Sequence, residues 1–156
     1  MRALNRMTIR GSLLAGLAIM AMLGAACDES LSTLAGPTPT LEPTFSSIQA
    51  NIFSASDSSG RAACITCHTN QGRDPAEGLN LLPEFSYAAL INVASRQKAG
   101  AVLVAPGNPD GSYLVHTLEG ASGISGGRMP RSGPPFLTDQ QITIIRRWIE
   151  LGARND

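Results

Sequence analysis

An all-α domain of four to five short helices joined by long ordered loops is the fold class the sequence predicts. Three observations carry this. Apolar residues recur at helical spacing at both ends of the domain: Phe45, Ile48, Ile52 and Phe53 near its start, and Ile142, Ile145, Trp148 and Ile149 near its end. Helix-start signals precede several of the apolar stretches. Charged side chains are few while glycines number 16 and prolines 10 in 156 residues, so long loops and a small core are expected.

The chain opens with a leader. Residues 1–10 hold Arg2, Arg6 and Arg10 and no acid, and residues 11–26 are apolar or small. A basic start, an apolar stretch of this length and small residues at its end read as a secretory signal. The stretch is shorter than the roughly 20 residues of a spanning helix. Cys27, directly after Ala25-Ala26, resembles the cysteine of a bacterial lipoprotein signal, which becomes the lipidated N-terminus. Gly24 stands where that pattern usually has Leu, and Leu23 comes one position early. Ordinary cleavage near Ala26 and an uncleaved anchor are the alternatives. Residues 27–43, with Pro37, Pro39 and Pro43 and no periodicity, read as a tether. The expected organisation is therefore a signal peptide over 1–26, a lipid-anchored tether over 27–43 and a folded domain over 44–156. The protein is expected outside the cytoplasm, on the periplasmic side of a bacterial membrane.

The domain begins with a short amphipathic helix over residues 45–53, followed by a Ser/Gly loop over 54–60. Arg61-Ala62-Ala63 favour one further turn of helix. They lead into Cys64-Ile65-Thr66-Cys67-His68, a C-x-x-C-H run of the kind that attaches a c-type haem. Two cysteines at this spacing bring both thiols within reach of the vinyl groups of one haem. The next residue presents an imidazole to the iron from the same side. A zinc site would want four ligands, and His116 lies far away in sequence. A thioredoxin-like redox pair would want a βαβ context, which the pattern lacks.

Residues 69–80 are polar and rich in Gly and Pro. Gly78-Leu79-Asn80-Leu81 follows at the distance where a chain folds over a haem face and edge, with Leu79, Leu81 and Leu82 as candidates to seal it from water. A backbone carbonyl within 73–78 is the expected acceptor for the Nδ1–H of His68. Ser86 reads as the N-cap of a helix over Tyr87–Val93 that turns Leu90 and Ile91 inward. Residues 95–109 are mostly loop, with an apolar run over Ala101–Ala105. Asp110 is expected to cap a helix over Gly111–Leu118, with Tyr113, Leu114 and Leu118 facing the core. Gly120–Gly127 is a glycine-rich loop. Thr138-Asp139-Gln140-Gln141 spells a capping box for the last helix. Gly152 is its stop, and Trp148 is expected to pack against the first helix.

A haem with two protein ligands needs a second one besides His68. Of five methionines, Met1, Met7, Met20 and Met22 leave with the leader, so Met129 is alone in the mature chain. It stands in a loop before Pro130, and a thioether is a soft, neutral ligand suited to haem iron. Core filling is the plain alternative for a methionine. His116 is the rival ligand, and an open sixth position is the third choice. Arg128 and Arg131 flank Met129 as candidate partners for a haem propionate or an acidic protein, or as solvated loop charge.

Formal charge is balanced at 12 basic and 12 acidic residues, and loss of the three leader arginines makes the mature chain slightly acidic. That argues against nucleic acid as a partner, since phosphate binding needs a basic face.

Across residues 44–153 the chain resembles small monohaem c-type cytochromes with His/Met ligation. The resemblance rests on Cys64-Ile65-Thr66-Cys67-His68, Gly78-Leu79-Asn80-Leu81, Arg128-Met129-Pro130 and the terminal pattern from Leu137 to Ala153. It implies a cytochrome c-like fold whose first and last helices cross around one covalent haem. It also implies thioethers at Cys64 and Cys67, with His68 proximal and Met129 distal. The loop over 95–127 is longer than in the most compact members. The expected function is electron transfer to redox partner proteins, without enzymatic turnover. A haem enzyme or gas sensor with an open sixth site is one alternative, and a docking subunit of a larger oxidoreductase is another. If Cys27 carries the anchor, Cys27→Ser will move the protein from the membrane fraction to the soluble periplasmic fraction; persistence in the membrane would contradict lipidation.

Overall fold

The structure, a computed structural model, describes residues 40–156. The leader, Cys27 and most of the tether lie outside the described residues. Within them the regular elements are helices and turns, with no strand.

Helix α1 spans Phe45–Ile48 and continues as a π-helical turn over Gln49–Phe53, so the predicted 45–53 helix is present with a widened second half. Thr44 Oγ1 accepts the Ser47 N–H. The last residue of the chain completes the start of α1: the amides of Phe45 and Ser46 donate to Asp156 Oδ1 and Asp156 O, both at 2.9 Å. These are amides that no turn within the helix can satisfy, and the carboxylate sits where the helix dipole favours negative charge.

The loop after α1 is organised by Arg61, a residue with no exposed side-chain surface. Its Nε donates to Asp57 Oδ2 at 3.0 Å. Nη1 donates to Ala62 O at 3.0 Å and Ile52 O at 3.4 Å, and Nη2 to Ala55 O at 3.1 Å. The guanidinium thus ties the end of α1, the loop and the approach to Cys64 into one unit. The turn predicted over 61–63 forms three residues later, as a 3₁₀ turn over Cys64–Thr66. Ala63 is extended, because these residues serve the Arg61 cluster instead of continuing a helix.

Helix α2 spans Ser86–Leu90 and is shorter than predicted, with Ile91 already extended. Ser86 is its first residue and not its cap. Its hydroxyl, fully buried, donates to Gln49 Oε1 at 2.6 Å, while Gln49 Nε2 donates to Leu81 O. A tertiary partner on α1 has taken the hydroxyl that a local cap would use. The apolar run after α2 lies between two neighbours: Val104 N donates to Leu90 O, Leu103 N to Val93 O, and Val102 O accepts from Tyr113 N. It therefore fixes the exit of α2 against the start of α3, and Val104 is fully buried.

Helix α3 spans Tyr113–Glu119 after a 3₁₀ turn over Pro109–Gly111. The cap predicted at Asp110 does not form: the N-cap of α3 is Ser112, which makes no side-chain cap bond, while Asn108 caps the 3₁₀ turn before it, its Oδ1 accepting Gly111 N at 2.9 Å. Asp110 instead pairs with Arg146 of the last helix, an exposed bridge. Tyr113, Leu114 and Leu118 are buried as expected.

Helix α4 spans Asp139–Glu150 and starts with the predicted capping box: Gln141 N donates to Thr138 Oγ1 at 3.2 Å, and Thr138 N to Gln141 Oε1 at 2.9 Å. Ile142, Ile145, Trp148 and Ile149 are all buried. Gly152 follows with φ near +99°, a left-handed conformation that suits glycine at a helix end. Trp148 stacks on Phe45 of α1 with ring centroids 5.4 Å apart, and Tyr87 meets the Phe45 edge at 5.1 Å. The indole N–H donates to Arg154 O, so this large side chain is buried with its polar atom satisfied.

Trp148→Ala will destabilise the domain by about 3–5 kcal/mol in urea unfolding, the range for a fully buried aromatic; a loss under 1 kcal/mol would mean that the α1–α4 packing matters little. Hydrogen bonds from the Ser59 hydroxyl and Arg61 bring the Asp57 carboxyl from 3.8 down to about 2. A depressed folded value means its contribution is complete above the unfolded value and is lost as pH falls through the folded one. Acid unfolding of the wild type will therefore include a step between pH 4 and 2 that Asp57→Asn lacks; identical acid profiles would contradict it.

Candidate functional site

Cys64 and His68 are joined by a single tight turn: the Cys67 and His68 amides both donate to Cys64 O, at 3.2 and 3.0 Å. A segment of only one turn has few internal hydrogen bonds, and the chain that follows supplies the missing ones. Ala76 N donates to Cys67 O at 3.1 Å and Leu81 N to His68 O at 2.9 Å. The return is tight because Glu77 and Gly78 both have positive φ, at 53° and 68°. Gly78 is also a close approach, since a Cβ there would overlap the Arg96 guanidinium. The positive φ is what favours glycine at 78, since the Arg96 guanidinium is the end of a flexible side chain and can move.

This return orients His68. Nδ1 lies 3.2 Å from Ala76 O and 3.2 Å from Leu79 O. Both neighbours are carbonyl acceptors, so Nδ1 carries the proton and Nε2 keeps the lone pair. One acceptor falls within the predicted 73–78 window and the other is one residue beyond it. Burial pushes the His68 pKa down, against the opposing pull of those hydrogen bonds, so the imidazole is neutral at neutral pH.

Cys64, Cys67 and His68 line a cavity of about 460 Å³ with mainly apolar walls. Its size lies within the roughly 300–1,000 Å³ of ligand-binding pockets. Cys64 is half-buried and Cys67 exposed, both as free thiols. Burial pushes the Cys64 thiol up, partly offset by the nearby Arg61 charge. Phe53, Leu79, Leu81, Leu114, Leu118 and Leu137 contribute apolar surface. Leu82, the third predicted seal, is buried in the domain but is not on the cavity wall.

Met129 is on the same wall set, brought there by the end of α3. The last carbonyls of a helix lack partners within it. Gly120, in the left-handed cap conformation, donates to His116 O. Met129 N donates to Thr117 O at 2.9 Å, and Arg128 Nε to Leu118 O at 2.9 Å. The Arg128 guanidinium also covers the Phe136 ring at 4.2 Å. Arg128 therefore works as a strut for the loop and is not on the cavity wall. Arg131 is, together with Arg73 and Arg96, and all three are exposed. The arginines at 73 and 96 carried no signal in the sequence, because nothing local ties them to residue 64.

His116 is placed elsewhere. It is not on the cavity wall; Nε2 contacts Asp110 O at 2.7 Å and its ring meets the Tyr113 edge. Among the described residues no group of three or more His, Cys, Asp or Glu side chains is arranged to hold a bare metal ion. What the cavity offers instead is two free thiols, an imidazole and one thioether, around mainly apolar walls. No family model, curated protein or solved structure matches this chain.

Proposed function

We propose that this domain is a c-type cytochrome that carries electrons. Thioethers at Cys64 and Cys67 would hold one haem, and His68 and Met129 are the residues that would bind its iron. One observation supports this most strongly: Met129, remote in sequence, lines the same cavity as Cys64, Cys67 and His68. The donor set suits the group. A neutral imidazole with Nδ1–H on two carbonyls keeps Nε2 free for iron and fixes the ring's orientation. A thioether adds a neutral soft donor, which raises the reduction potential. A haem held by these residues would supply one-electron chemistry between a reduced donor protein and an oxidised acceptor, with no bond made or broken.

The chain's own residues perform the rest. The apolar side chains of the wall keep water from the ligands. Arg73, Arg96 and Arg131 provide the exposed cationic part of the cavity lining, where propionates or an acidic protein surface would find charge partners. Trp148 and Phe45 hold α1 and α4 together behind the motif, in keeping with a cytochrome c-like arrangement. The sequence upstream extends the proposal to an exported protein held at the membrane by Cys27. A lipid tether would raise its effective concentration near membrane redox partners.

The rival with an open sixth site would need Met129 to be non-ligating. Met129→Ala will lower the reduction potential and let carbon monoxide bind the reduced protein at neutral pH; an unchanged spectrum and no carbon monoxide binding would refute ligation by Met129.

A further inference from the structure

Neither attachment nor ligation of a haem uses Arg61, yet among the described residues it is the one arginine with a fully buried side chain. Burying a guanidinium costs desolvation, and an apolar residue of similar volume often serves stability as well or better. The charge itself is therefore the feature to explain. We propose that the Arg61–Asp57 pair is a fixed dipole that raises the reduction potential of the site, with its positive end buried beneath Cys64 and its negative end toward solvent. This rests on the haem reading above.

The geometry gives the dipole its direction. Arg61 Nη1 and Cys64 Sγ converge on one acceptor, the Ile52 carbonyl, at 3.4 and 3.5 Å. Asp57 approaches the guanidinium from Nε, and its carboxylate is bound by the Ser59 and Arg61 amides. The Arg61 side chain is 0% exposed, whereas that of Asp57 is 22% exposed. A charge in the protein interior acts through a low effective dielectric, while one in contact with water is screened. The two charges therefore do not cancel at Cys64, and the cation dominates there. Reduction by one electron from a donor protein adds one negative charge to the centre attached at Cys64. A buried cation favours that state, so the potential rises. Arginine suits the task because its planar fork makes four hydrogen bonds here and stays charged.

The test is potentiometric titration of the full-length, haem-loaded protein, reduced with dithionite and reoxidised with ferricyanide. Wild type is compared with Arg61→Gln and Asp57→Asn, alongside haem content and thermal stability. Loss of the cation will lower the potential; loss of the anion will raise it. A purely structural role moves both variants the same way, since each loosens the cavity and admits water. Opposite shifts support the dipole, and shifts of one sign or none overturn it. Should Arg61→Gln fail to accumulate, Asp57→Asn decides alone: an upward shift supports the proposal, and an unchanged or lower potential overturns it. A wild-type protein without covalent haem would overturn both this inference and the reading beneath it, whereas haem with the wrong shifts overturns only the inference.

Discussion

The hydrogen bonds of the buried Arg61 guanidinium hold together the least regular part of the domain. Between Phe53 and Cys64 there is no helix, and a loop there would leave its backbone polar groups and its path to solvent. Arg61 converts it into a fixed piece by donating to Ile52, Ala55 and Ala62 carbonyls and to Asp57. The position of the cysteine motif is thereby slaved to α1. Helix α1 is in turn fixed from behind by Trp148 and at its start by Asp156. Both ends of the domain thus converge on the segment that presents Cys64, Cys67 and His68.

The other side of the cavity is positioned by a different device. Helix α3 is short, and the carbonyls at its end are the attachment points for the loop that carries Met129. The glycine-rich stretch before it is pinned where Ser125 N donates to the Tyr113 hydroxyl at 2.7 Å. A residue in a loop is thereby held to a helix end by one main-chain bond and one from the neighbouring Arg128 side chain, a stiffer arrangement than loop position alone would suggest. Two walls with independent supports meet around one apolar space, and the proposed electron-transfer site would need such a geometry, with ligands that do not move when the charge changes.

What the sequence revealed followed from how local each signal is. The capping box of α4 and its apolar stripe involve neighbours within one or two turns, so both were legible. So were the spacing of Cys64, Cys67 and His68 and the solitary status of Met129. Ser86 and Asp110 misled for one reason: each is a good local cap whose side chain is claimed by a distant partner, Gln49 and Arg146. Arg61 favours helix by propensity, and its burial leaves little trace in the sequence because arginine is seldom buried; the Asp57–Arg61 spacing is a faint hint of its partner. The cap that Asp156 gives α1 joins the two ends of the domain and has no local trace at all. Residues 73 and 96 came to the cavity only through the return of the chain after His68.

The proposed function requires a covalent haem at Cys64 and Cys67. Its most direct test is a pyridine haemochrome spectrum of the protein purified after export, combined with extraction of non-covalent haem by acidified acetone. The prediction is one c-type haem per chain that stays with the polypeptide after extraction and through a denaturing gel. A protein that carries no haem, or one whose haem is fully extracted, would contradict it.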